Sequence, residues 1–69
     1  MQSVAILVNG EPCSVSEHAT VAALLAELGL SAQHVAVEVN LQLVPRTRHA
    51  ERRLATGDRV EVVSLVGGG

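Results

Sequence analysis

Asn9-Gly10 sits between two strand-length runs, SVAILV (3–8) and EPCSV (11–15), and no other local feature constrains the fold as tightly. Both central residues of a type I′ turn need positive φ, and Asn followed by Gly accepts that conformation at least steric cost. The chain is therefore expected to open with a β-hairpin. Pro12 has no N–H to give to a ladder, which puts the returning strand near a sheet edge.

The period then changes. Val21, Leu24, Leu25 and Leu28 recur at i, i+3, i+4 and i+7, one face of a helix, and Ala22, Ala23 and Ala26 add helix propensity. Thr20 is the expected N-cap, and Gly29 the left-handed residue that ends the helix. Two turns on a four-residue stripe need a sheet to pack against. Val35–Asn40 alternates with period two, with Val35, Val37 and Val39 on one side. Leu43–Pro45 reads as a second short strand joined through 40–42, and Arg46–Leu54 as an irregular crossover with one helical turn. After a turn at Thr56-Gly57-Asp58, Arg59–Val66 is the last strand, with Val60 and Val62 inward and Val63 and Leu65 outward. Val63 and Leu65 would form a small apolar patch just before Gly67, Gly68 and Gly69. The predicted class is α+β: a β-grasp (ubiquitin-like) mixed sheet with one main helix on one face. Its first and last strands are parallel neighbours at the centre, as their continuous aliphatic runs suggest. Residues 1–66 form the domain and 67–69 a flexible glycine tail.

Composition narrows the function classes. With 69 residues the chain buries only about 60% of its unfolded surface, so a large catalytic cleft is not expected. Hydrophobic residues at 48% and a mean hydropathy of +0.35 argue against disorder. A net charge of −2 and the absence of Phe, Tyr and Trp exclude a nucleic-acid binder, which needs a basic face or a stacking platform. No apolar stretch reaches the ~20 residues of a membrane span, and the start MQSVAILVNGEP lacks the basic region of a signal peptide. Cys13 has no partner for an internal disulfide, which favours a reducing, cytoplasmic setting and a packing role for the thiol. A monomer is expected for the chain alone.

The glycine end carries the most distinctive chemistry. A terminal glycine offers its carboxylate with no β-carbon beside it, and three residues extend about 10 Å, enough to thread a narrow active-site channel. The carboxylate is ionised at neutral pH, with a pKa of ~3.3–3.7. It must be activated, for example as an acyl-adenylate, before anything attacks it. All five basic residues are arginine, so no lysine amine on the chain can capture an activated end.

Asn9-Gly10, the helix stretch TVAALLAELGL (20–30), VAVEVN (35–40), Val44-Pro45-Arg46, Leu54 with Gly57-Asp58, Val60–Val63 and Gly67-Gly68-Gly69 together resemble the ThiS family, the ubiquitin-like sulfur carriers of thiamine biosynthesis. The resemblance covers essentially the whole chain. It implies an adenylating enzyme (ThiF-like) that uses ATP and magnesium, with no cofactor bound by the carrier itself. It also implies sulfur relayed from a cysteine desulfurase, a C-terminal thiocarboxylate, and delivery to thiazole synthase (ThiG). Carried over by position, Gly69 bears the adenylate and then the thiocarboxylate, Gly68 completes the diglycine end, and Gly67 adds flexibility. The carrier catalyses nothing in this scheme. Other readings are a sulfur carrier for another pathway (the molybdopterin synthase small subunit, MoaD, or cysteine synthesis), a ubiquitin-like protein modifier, or a plain interaction module.

The remaining polar residues point elsewhere. His18, His34 and His49 match no metal-ligand spacing, so no metal site is expected. Asp58 reads as a cap on its own turn. Arg46, Arg48, Arg52 and Arg53 read as a solvated crossover partly balanced by Glu51; the sharper reading makes Arg52 and Arg53 contacts for an acidic patch on a partner, beside the candidate contacts Val63 and Leu65.

Overall fold

A computed structural model describes residues 2–65. Five strands run β1 (Ser3–Val8), β2 (Glu11–Ser16), β3 (Val35–Val39), β4 (Gln42–Val44) and β5 (Arg59–Ser64), with one α-helix, α1 (Val21–Glu27), and 3₁₀ turns at Ala32–His34 and Arg46–Arg48. The sheet order is β2-β1-β5-β3-β4. Among the described residues only β1 and β5 pair in parallel, through Leu7–Arg59 and Val8–Val60, while the other three pairings are antiparallel. This is the β-grasp arrangement, with β5 at its centre and Pro12 on the edge strand β2.

One continuous aliphatic core holds it together. Val21, Leu24 and Leu25 of α1 meet Ile6, Val15, Val35, Val37, Val39, Val44 and Val60 from the sheet and Leu54 from the crossover. β3 buries Val35, Val37 and Val39 as its alternation predicts. β1 departs from its sequence reading: its apolar run is covered on one face only, so Ala5 is exposed beside buried Ile6. Leu28 also departs, being 42% exposed. The helix ends at Glu27, with Leu28 N–H donating to Leu24 C=O and Gly29 N–H to Ala26 C=O, so the fourth member of the stripe lies past the last full turn. β4 begins one residue earlier than expected, and β5 ends at Ser64, with residues 66–69 outside the described part.

Thr20 caps α1 as predicted, its Oγ accepting from Ala23 N–H at 3.1 Å. The crossover supplies the rest: Arg52 C=O accepts from Val21 N–H and His49 C=O from Ala22 N–H, both at 2.9 Å. Three otherwise orphaned donors of the first turn are thereby satisfied. This explains why a polar segment without apolar periodicity still holds a fixed path. His49 is buried at 4% exposure with its Nε2 3.1 Å from Val44 C=O, while Nδ1 has no partner.

Both two-residue hairpins put consecutive residues at positive φ: Asn9 at 51° and Gly10 at 84°, then Asn40 at 53° and Leu41 at 69°. For leucine this conformation costs about 1–2 kcal/mol.

Candidate carrier tail and docking face

β5 leads to Leu65, the last described residue, and three side chains hold the strand in place. Asn9, at the end of β1, accepts from Val62 N–H through Oδ1 (2.8 Å) and donates from Nδ2 to Val62 C=O (3.3 Å). Its own N–H donates to Val60 C=O, so the amide extends the β1–β5 ladder by a step after β1 has turned away. Asn40 does the same at the other end of β5, where Oδ1 accepts from Arg59 N–H at 3.0 Å and Nδ2 donates to Asp58 at 3.0 Å. Asp58 caps its turn as expected, accepting from Ala55 N–H at 2.9 Å, and adds an Arg52 guanidinium contact at 3.7 Å. The sequence singled out Asn9 and Asn40 only as turn and strand-end residues. Their amides reach a strand that local pattern does not place beside them.

At its far end β5 pairs with the start of β3, Val35 with Ser64 and Ala36 with Val63. Leu65 N–H then donates to His34 C=O at 2.8 Å, tying the last described peptide to the 3₁₀ turn before β3. Val63 (55% exposed) and Leu65 (61%) stand on the sheet face that α1 leaves bare. Leu43, at 65%, lies opposite Glu38, two residues along β3 from the Ala36–Val63 pair, and Leu65 and Leu43 line one shallow groove with Ala36 and Pro45. The expected apolar patch is therefore present and larger than two residues.

Arg52 and Arg53 are not brought to it. Arg52 touches Asp58 at the start of β5, about 17–20 Å along the strand from the tail exit. Its Nη1 donates to Arg53 C=O. Arg53 pairs with Thr20 and lines a different groove, beside Glu17 and His18. Arg48 pairs with Glu51 at 3.3 Å on the surface. Gly67, Gly68 and Gly69 lie outside the described residues. Cys13 is half-buried against the core, as a packing residue would be. Among the described residues no cluster of His, Cys, Asp or Glu could hold a metal ion, and no helix is long and apolar enough to cross a membrane.

The sequence profile of the ThiS family matches residues 6–69, and so includes the glycine end. The chain belongs to the ThiS family. The thiamine biosynthesis protein ThiS of Geobacter metallireducens has a similar structure, with a TM-score of 0.82 and 33% identity, covering 96% of this chain and all of that one. A segment of the thiazole synthase of Paramagnetospirillum magneticum is 44% identical over 64 residues, which is 93% of this chain but only 20% of that protein. The uncharacterised ycf40 protein of Pyropia yezoensis is 37% identical, over 97% of this chain and 94% of its own length. ThiS-family proteins are sulfur carriers of thiamine biosynthesis with the ubiquitin-like β-grasp fold, and act as carriers rather than enzymes.

Proposed function

We propose that this chain carries sulfur as a thiocarboxylate on Gly69 and delivers it for the thiazole ring of thiamine. The observation that carries the reading is the ThiS-family match running through the glycine end of a chain whose central strand exits beside an exposed apolar face. In this reading a ThiF-like enzyme, using ATP and magnesium, docks on Val63 and Leu65 and draws the Gly67-Gly68-Gly69 tail into its active site. The Gly69 carboxylate takes an adenylyl group as pyrophosphate leaves. A persulfide fed by a cysteine desulfurase then displaces AMP to form an acyl disulfide, and a second thiol attacks the outer sulfur, so that a disulfide forms on the sulfur donor and Gly69 is released as the thiocarboxylate.

The chain's own contribution is physical. Asn9 and Asn40 fix β5 within the sheet. The Leu65–His34 bond holds the last described peptide against the body. Glycines beyond it add no side chain that would block a channel. Delivery to thiazole synthase is supported by two thiazole synthases that contain a segment 44% or 39% identical to this chain. The cytoplasm is the compartment that fits this exchange, and the chain works as a monomer between its partners.

Reconstituted thiazole formation tests the reading. Thiazole synthase supplied with its carbon and nitrogen substrates, the activating enzyme, a cysteine desulfurase and its sulfur source, ATP, magnesium and this chain should make thiazole, and none when Gly69 is deleted. Turnover by the large subunit of molybdopterin synthase in place of thiazole synthase would assign the carrier to the other pathway.

A further inference from the structure

β5 is held along its two edges in different ways. On one edge β3 pairs with it throughout, from Val39–Val60 to Val35–Ser64, and Leu65 N–H adds a bond to His34 C=O at 2.8 Å. On the other edge β1 pairs with it only through Leu7–Arg59 and Val8–Val60, because the chain then turns away through Asn9-Gly10 into β2. Among the described residues no strand faces Val62–Leu65 on that edge.

The side chain of Asn9 fills the first part of this gap. Asn9 N–H still follows the ladder and donates to Val60 C=O at 2.8 Å. The next two bonds come from the side chain: Oδ1 accepts from Val62 N–H at 2.8 Å, and Nδ2 donates to Val62 C=O at 3.3 Å. A carboxamide offers the same donor and acceptor as a peptide group. The amide therefore replaces the peptide that β1 no longer supplies. The turn does not require it, since glycine also accepts the φ of 51° at position 9. Asn40 makes comparable bonds at the second hairpin, but to Arg59 N–H and Asp58 at the start of β5. Of the two, Asn9 secures the half of the strand that bears Val63 and leads to Leu65. Both of those side chains face solvent, so their placement depends on how the strand is held at its edges.

We propose that Asn9 is a positioning residue for the activation of Gly69: its side-chain amide stands in for the missing strand and holds the Val63 and Leu65 face in the conformation that the activating enzyme binds. The role rests on the activation reading above. A surface ordered before encounter binds without the cost of ordering it.

Asn9→Gly keeps a residue that accepts positive φ and removes the amide alone. With this variant as substrate, the KM of the activating enzyme should rise about three- to tenfold, while kcat at saturation stays within about twofold. Hydrogen exchange at the Leu65 amide, which Asn9 does not touch, should quicken relative to the amides of α1. Thr20→Ala supplies the comparison, because it weakens the fold through the α1 cap and leaves the bonds of β5 in place. Its KM should match that of the parent. An unchanged KM for Asn9→Gly overturns the positioning role, and so does an equal rise in Thr20→Ala, which would trace the effect to stability. A parent chain that the enzyme never loads overturns the activation reading itself, an outcome distinct from equal loading of parent and variant.

Discussion

Asn9 does two jobs with one side chain. Its backbone takes the first positive-φ position of the hairpin turn, and its amide makes two hydrogen bonds to Val62, 53 residues away. Asn9→Gly keeps the turn and removes the amide, so it should cost about 1–2 kcal/mol, the net worth of two such bonds. Asn9→Ala should cost more, because alanine also resists positive φ. Urea denaturation of the two variants separates the terms, and equal losses would show that the turn geometry carries no strain. The turn was legible in the sequence because Asn-Gly is a local signal. The amide clamp was not, since only the packed sheet puts β5 next to the end of β1. His49 was hidden for a similar reason: its burial comes from Val44 and the start of α1, not from any periodicity in its own segment.

The elements were readable where one face is repeated and lost where the repeat stops. β3 buries each valine of its alternation, and α1 buries Val21, Leu24 and Leu25, yet Leu28 falls beyond the last full turn and stays partly exposed. Leu24→Ala should therefore destabilise the fold by about 2–5 kcal/mol through the cavity it leaves. Leu28→Ala should shift it by no more than about 0.5 kcal/mol. Thermal or chemical unfolding checks the contrast, and similar losses at both sites would mean that the stripe of four is buried after all. Thr20→Ala should cost about 1 kcal/mol as a lost cap. The crossover gave little away because its work is done by backbone: the carbonyls of His49 and Arg52 finish the helix start that Thr20 begins.

The whole molecule separates its contacts by end. Val63 and Leu65 flank the tail exit, whereas Arg52 sits at the start of β5 and Arg53 on yet another groove. Val63→Asp should leave stability within about 0.5 kcal/mol, because the side chain is already half in water, and should slow loading by the activating enzyme. Arg53→Glu should leave loading unchanged at low salt, where steering by charge is strongest. A slowed Arg53→Glu with an unaffected Val63→Asp would move the docking face to the crossover. The measurement that tests the account most directly is the intact mass of the chain after incubation with the activating enzyme, ATP, magnesium and a cysteine-desulfurase sulfur source. A gain equal to one oxygen replaced by sulfur, abolished by deletion of Gly69, is the expected result. An unchanged mass, with an enzyme proven active on another carrier, would contradict it.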